Sequence, residues 1–328
     1  MTKKRNFKTL TLIALAIAIS LTFGLMSIRS AKANTTSAVT AALFPSIAAQ
    51  VPGLNIQYYA IDANNNFYVL SGTTFNRVNT ISNINGDRII GIDYRPANGQ
   101  LYALSNNSRL YTINPANAAA TLVSTVAPTG GVGTNSLFDF NPVVDAIRII
   151  GSNTQNFAVV KGANGVLNTT AQQTSVAYTV GDPFAGTTPN IVGGSYTNNV
   201  NGATTTLFYA LDATTDKVVT IADKTATGSS NTGGGKLQTI GTLFVNGLPM
   251  NFNSTADIDM VTFQAAGGLN VGIGLNGNSL FTVFLIQVAT NLPVGTQQNL
   301  GANGVTVNFS TGANVVPIDV AASIPPGQ

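Results

Sequence analysis

The chain contains no cysteine, no histidine and no glutamate. Without cysteine there is no disulfide, no thiolate nucleophile and no thiolate-bound metal. Without histidine, the usual general base and the commonest transition-metal ligand are gone. Serine–histidine hydrolysis, zinc hydrolysis through histidine ligands and thiol chemistry are therefore excluded. Every acid is an aspartate, 12 in all. What remains is aspartate acid/base work, lysine, tyrosine or serine chemistry, and Ca²⁺ or Mg²⁺ held by oxygen. Charge is also scarce, at 8% of residues, against 44% hydrophobic. Asn, Thr, Gly and Ser supply the polarity, a balance that suits turn-rich extracellular β proteins and argues against disorder.

Residues 1–33 read as a leader that takes no part in the fold. Lys3, Lys4, Arg5 and Lys8 form a positive start, Leu10 to Ile28 is almost continuously apolar, and Ala31-Lys32-Ala33 is a small-x-small site before Asn34. That is the pattern of a secretory signal peptide. The alternative is an uncleaved anchor, against which Thr11, Ser20, Thr22, Gly24 and Ser27 interrupt the apolar run. The leader holds six of the 15 basic residues and none of the 12 acidic ones. Cleavage thus leaves nine positive and 12 negative charges, net −3, so the pI near 9.1 belongs to the precursor. The remaining Lys and Arg are scattered singly, which excludes a basic nucleic-acid footprint or a polybasic membrane patch. The expected location is secreted, extracellular or periplasmic, with no stable membrane insertion after cleavage. Residues 34–54 are expected to form an irregular arm, with 36–50 the one stretch suited to a short helix. Residues 55–328 are expected to form a single domain.

Beyond residue 55 the pattern is strand after strand. "IQYYAI" (56–61), "RIIGIDY" (88–94), "LYAL" (101–104), "AIRIIG" (146–151), "TLFYAL" (206–211) and "NVVPIDVA" (314–321) are typical, with Asn, Gly, Asp and Pro clusters between them. An internal repeat organises them. "IDYRPANGQLYAL" (92–104) aligns without a gap with "FDFNPVVDAIRII" (138–150) at an offset of 46. Asp93 falls on Asp139 and Pro96 on Pro142, and Asn98 and Asp145 supply the polar turn residue of each copy. A second unit pairs "YAIDANNNFYVL" (59–70) with "YALDATTDKVVTI" (209–221), and "YTINPANAAATLV" (111–123) is a looser relative. Each unit is a strand entering a turn: Pro pre-sets φ, and Asp or Asn accepts turn N–H groups. Repeats of about 45 residues, each a few strands, mark β-propeller blades. The expected fold is all-β and β-propeller-like with about six blades, five or seven being open. A β-sandwich or β-solenoid is the alternative, and it would not produce gapless copies at blade spacing.

At these same residues the chain resembles domain-of-unknown-function family 4394. The resembling segments are "GIDYRPANGQLYALSNNSRLYTINP" (91–115), "FDFNPVVDAIRIIGSNTQNF" (138–157), "YTNNVNGATTTLFYALDATTD" (196–216) and "GGKLQTIGTL" (234–243). The resemblance implies a secreted, propeller-like protein and brings no activity with it. The family tends to carry a basic residue shortly after the "QN" that is Gln155-Asn156 here, where this chain has Phe157-Ala158.

Candidate sites are few, and none is assigned as catalytic or cofactor-binding. Asp139, Asn141 and Asp145 offer oxygens to a Ca²⁺, with Asn153 or Asn156 completing the shell, although no D-x-[DN]-x-[DN]-G loop is present. The plainer role is bracing a blade turn. The copy at 92–104 favours it, because a unique site needs no duplicate, so Asp139 and Asp145 are expected to serve their own hairpin. Asp257 and Asp259 in "ADIDM" point to one face of a strand, roughly 6.5–7 Å apart, as a cation or acid/base pair or as turn acceptors. Arg148, between Ile147 and Ile149, is the candidate ligand-binding residue, with an internal ion pair to Asp139 or Asp145 as its simpler role. "TGSSNTGGGK" (227–236) lacks the phosphate-loop form and reads as a surface loop. The recurring tyrosines read as blade packing before a stacking platform.

The function these features suit best is a non-enzymatic binding or surface module, its partner a protein, a small molecule or a glycan. The alternative is an aspartate-dependent, Ca²⁺-assisted hydrolase or lactonase with its site in the propeller channel.

Overall fold

The computed structural model describes residues 56–126, 136–221, 235–263, 269–284, 297–310 and 315–324. The leader, the 34–54 arm and most of the Gly-rich segment 227–236 lie outside the described residues. No helix among the described residues is long and apolar enough to cross a membrane, which says nothing of membrane crossing by strands.

The strands run in chain order as β1 (Gln57–Asp62), β2 (Asn66–Ser71), β3 (Thr74–Thr80), β4 (Ile89–Arg95), β5 (Gln100–Ser105), β6 (Arg109–Asn114), β7 (Ala119–Thr125), β8 (Ser136–Asn141), β9 (Ala146–Gly151), β10 (Asn156–Lys161) and β11 (Leu167–Gln173). They continue as β12 (Ala177–Tyr178), β13 (Ile191–Tyr196), β14 (Phe208–Asp212), β15 (Lys217–Ile221), β16 (Lys236–Val245), β17 (Leu248–Pro249), β18 (Asp257–Phe263), β19 (Leu269–Asn276), β20 (Ser279–Phe284), β21 (Gln298–Thr306), β22 (Asn308–Phe309) and β23 (Pro317–Ser323). Successive antiparallel strands build four-stranded meanders: β4–β7, β8–β11, β13–β16 and β18–β21. A further meander joins β1–β3 to β23, which pairs antiparallel with β1 from Gln57↔Ser323 to Asp62↔Pro317.

The innermost strands β23, β4, β8, β13 and β18 touch one another in sequence, and β18 returns to β23. The ring is therefore a propeller of five blades. Blade 1 is β23 with β1–β3, and blades 2 to 5 follow in chain order. Five blades rather than about six use up the chain because the later ones carry longer connections: inner strands begin at Ile89, Ser136, Ile191, Asp257 and Pro317. Blades 4 and 5 are also joined at the rim, where β16 and β21 pair in parallel from Gly241↔Gln298 to Val245↔Ala302.

Position in the blade explains each strand's composition. Inner strands are sandwiched between neighbours on both faces, so β4, IIGIDYR, is buried except at Arg95. Outer strands face water, so β11, LNTTAQQ, buries only Leu167 fully. Five apolar cores fill the five seams. Tyr59, Ile61 and Phe67 meet Ile92, Leu101 and Tyr111 between blades 1 and 2. Tyr102, Leu104 and Leu110 meet Phe140, Ile149 and Phe157 between blades 2 and 3. Leu137 and Ile150 meet Tyr196 and Phe208 in the next seam, Tyr209 and Leu211 meet Met260 and Phe281 in the fourth, and Val261 and Ile273 meet Tyr58 and Phe75 in the last. Each such side chain stabilises the ring by about 1.5–3 kcal/mol relative to exposure.

The repeat occupies equivalent places, since "IDYRPANGQLYAL" and "FDFNPVVDAIRII" are each an inner strand, its turn and the second strand. The turn residue is corrected by one position. Asp145, at φ 50°, is the counterpart of Gly99, at φ 66°, and not of Asn98. Both stand in the left-handed region that Gly and Asp enter most easily. The second unit also recurs in place: Asp62 Oδ1 accepts the Asn64 N–H at 2.9 Å, and Asp212 Oδ1 accepts the Thr214 N–H at 2.9 Å.

Because β23 comes from the far end of the chain, ring closure hangs on it. A chain truncated after residue 314 should lose its cooperative thermal transition, followed by circular dichroism. A sharp two-state melt of that chain would show that blade 1 stands without its inner strand.

Candidate functional site

The inner strands carry carboxylates inward at matching heights. In an upper layer stand Asp93 of β4, Asp139 of β8, Ser195 of β13, Asp259 of β18 and Ala321 of β23. Two residues earlier along each strand is a lower layer: Gly91, Leu137, Gly193, Asp257 and Asp319. The period of two along a strand places both layers on the same face.

One hydrogen bond repeats around this ring. The side chain of one blade accepts the main-chain N–H that follows the matching residue of the next. Asp93 Oδ2 accepts from Phe140 at 2.7 Å, Asp139 Oδ1 from Tyr196 at 3.0 Å and Ser195 Oγ from Met260 at 3.2 Å. Asp259 Oδ2 accepts from Ala322 at 2.5 Å, and in the lower layer Asp257 Oδ2 accepts from Val320 at 3.1 Å. Asp319 takes the Ile92 N–H in the same way. Ala321 has no acceptor to offer, so the upper layer is interrupted in blade 1. The lower layer needs glycine opposite its carboxylates. A Cβ on Gly193 would lie 2.2 Å from Asp257 Oδ1, and one on Gly91 would lie 3.3 Å from Asp319 Oδ2 and 2.5 Å from Phe138 Cβ.

All five carboxylates are buried, none more than 7% exposed. Burial pushes every one above the ordinary carboxylate range, Asp257 to about 7 and Asp259 to about 6. Asp93 rises well above it through burial and then through the Asp139 and Asp259 charges. Asp139 rises through burial and then Asp259, against the Ser195 and Tyr196 donors. Asp319 rises through burial and then Asp257, with which it shares a hydrogen bond that requires a proton on one of the two. Asp93, Asp139 and Asp259 each place a carboxylate oxygen within 4.8 Å of the others. They are a set of oxygen donors able to hold a hard cation.

The sequence candidates separate into axis and rim. Asp139, Asp257 and Asp259 lie on the axis. Asn141 does not join them; its Oδ1 accepts the Val143 and Val144 N–H groups at 3.0 and 3.4 Å within its own turn. Asp145 sits at the rim of the same turn and pairs with Arg95 of blade 2 at 2.6 Å and Lys161 at 2.9 Å. Burial pushes its carboxyl upward, but the hydrogen bonds and charges of Arg95 and Lys161 together hold it below the ordinary carboxylate range. Asn153 caps its own turn by accepting the Gln155 N–H at 3.3 Å. Arg148 is buried and engages Tyr196 Oη and Gln173 Oε1, each at 2.8 Å, and Asn156 Oδ1. It stitches blade 3 to blade 4 through these neutral groups instead of pairing with Asp139 or Asp145. Asp139 bonds across the seam and not within its hairpin. Asp93, Asp319 and Ser195 are the axial residues that sequence reasoning left out. Asp93 had been visible as the repeat copy of Asp139, and "PIDV" resembles "ADIDM" locally.

The family profile described as "Domain of unknown function (DUF4394)" matches residues 65–313. The chain belongs to this family. No curated protein matches it. Among solved structures it is similar to a protein of unknown function from Bacteroides thetaiotaomicron, with 12% identity and TM-score 0.43 over 67% of this chain and 54% of that one. The DUF4394 chain thus spans about half the length of that protein. It is also similar to Myxococcus xanthus glutaminyl cyclase, with 8% identity and TM-score 0.36 over 75% of this chain and 73% of that one. The Dos1 propeller is similar at 12% identity and TM-score 0.34, over 68% and 64%. None of these likenesses bears on chemistry.

Two predictions follow from the axial geometry. Asp139→Ala and Asp93→Ala each strand a buried N–H across a seam, so each should cost about 1–3 kcal/mol in urea unfolding. Asp139→Asn, which keeps an acceptor, should cost clearly less; equal losses for Ala and Asn would show that the hydrogen bond is not what Asp139 supplies. The second concerns pH. A raised folded-state value means that the folded chain holds its proton more tightly than the unfolded one. That stability is complete below the ordinary value of 3.8 and is lost as pH rises through about 6 and 7. In chelator-containing buffer the melting temperature should fall from pH 5 to pH 8. Asp87 and Asp145, which are shifted the other way, change only below this window. A melting temperature that is flat or rising across it would contradict the assignment.

Proposed function

We propose that this DUF4394 protein is a secreted, non-enzymatic binding module, a rigid five-bladed disc whose loops engage a protein, small-molecule or glycan ligand. One observation carries the reading. The carboxylates that would do acid/base chemistry are buried and spent on main-chain N–H groups of the neighbouring blade. A group committed in this way holds the scaffold and does not meet a substrate. Function then falls to the loops, as is usual for rigid scaffolds. Secretion is supported by the charged, apolar and small-x-small order of residues 1–33.

The convergence of Asp93, Asp139 and Asp259 is the feature that favours the hydrolase or lactonase alternative. The two readings separate in one experiment. The purified exported protein is screened on a glycan array and an extracellular-protein library, and in parallel against ester and lactone substrates. Saturable binding without turnover is expected. Turnover that disappears in Asp259→Asn would reverse the assignment.

A further inference from the structure

We propose that Asp93, Asp139 and Asp259 form a divalent-cation site of calcium type on the propeller axis, tying three of the five blades together. This goes beyond the binding reading and does not rest on it. Three carboxylate oxygens lie within 4.8 Å of one another. Oxygens at that limit have a common centre about 2.8 Å from each, so a small inward adjustment of the side chains brings all three to a calcium–oxygen distance of roughly 2.3–2.6 Å. They come from blades 2, 3 and 5. Blade 5 borders neither of the other two, so these oxygens meet only near the axis.

A count of donors shows what the cluster lacks. Asp139 Oδ1 has the Tyr196 N–H, and Asp259 has the Ala322 N–H, the Met260 N–H at 2.6 Å and the Ser195 hydroxyl at 3.0 Å. Asp93 Oδ2 has the Phe140 N–H. Asp93 Oδ1 has no hydrogen-bond partner, although Asp93 is only 1% exposed. A buried carboxylate oxygen without a donor is costly, and the groups converging beside it are further carboxylates. Among the described residues the ion pairs engage Asp87 and Asp145 and leave the axial acids aside. In the lower layer Asp319 Oδ1 is likewise without a partner, but only two acids, Asp257 and Asp319, meet there. Three acids converging from three blades need a centre that contacts all of them, and a divalent ion provides it.

The donor set selects the ion. It is all oxygen, which hard cations prefer and which soft or imidazole-seeking metals do not. Magnesium keeps several waters in a strict octahedron, whereas calcium accepts irregular carboxylate shells. Bound there, the ion links β4, β8 and β18 and adds to the apolar packing and hydrogen bonds that already cross their seams.

The test uses the purified protein, stripped with chelator and titrated with calcium chloride by calorimetry, then melted with calcium, magnesium or chelator. The expected result is one-site heat. The melting temperature should rise by about 5–10 °C at a hundredfold excess over Kd. The rise should vanish in Asp93→Asn and Asp259→Asn and persist in Asp145→Ala. No heat and no rise at about 10 mM calcium, beyond the range of extracellular calcium modules, overturns the proposal. So does a rise lost in Asp145→Ala but kept in Asp93→Asn, which would put the ion on the rim turn. Should the axial variants fail to fold, crystals of the unaltered protein grown with calcium decide: an anomalous peak between Asp93, Asp139 and Asp259 supports the site, and a peak elsewhere or none refutes it.

Discussion

The fold depends on one repeated contact: an aspartate or serine on an inner strand reaching across a seam to a main-chain N–H of the next blade. Apart from the β16–β21 pairing of blades 4 and 5, the backbone ladder of a blade is complete within its own sheet, so the ladders do not set the height of one blade against another. Apolar side chains fill the seams through contacts that have no direction of their own. A side-chain acceptor aimed at a particular N–H is directional, and six such bonds run around this axis. They fix the stagger of the ring. They also explain why the axis is acidic at all. An aspartate side chain is long enough to reach the neighbouring strand, with bonds of 2.5 to 3.1 Å, and the shorter Ser195 makes its own at 3.2 Å.

Much of this was legible in the residues. The gapless match of Asp93 with Asp139 reported real equivalence, because inner strand, turn and second strand recur as a unit. Asp62 and Asp212 likewise recur as turn acceptors. The blade count was less legible, since later blades hide their period behind longer connections such as 197–207. Asp145 was placed with Asn98 because both are polar turn formers, although the gapless offset of 46 already puts it on Gly99, and the positive φ shared by Gly99 and Asp145 agrees.

The site misled for a more general reason. A second copy of Asp139 looked like evidence for a merely local role, on the premise that a unique site needs no duplicate. That premise holds for chains whose repeats lie side by side. In a ring, rotation about the axis carries every copy to the same centre, so duplication is how such a site is assembled. Sequence spacing reports how far apart two copies are along the chain. It does not report that a common axis brings them within 4.8 Å. Asp319 escaped for a related reason: its local pattern matches Asp259, while its height in the ring is that of Asp257.

The rim pairing of β16 with β21 has a mechanical meaning. Blades 4 and 5 share one continuous hydrogen-bonded sheet, so they move as a single plate. The disc is then a four-plate linkage with four hinges. In the upper layer the hinge between blades 1 and 2 lacks a carboxylate because blade 1 offers Ala321 there. That seam is tied instead in the lower layer, where Asp319 takes the Ile92 N–H, and by Asn65, whose side chain donates to Asp87 O and accepts from the Ile89 N–H, so blade 1 is latched to blade 2 by its own first turn.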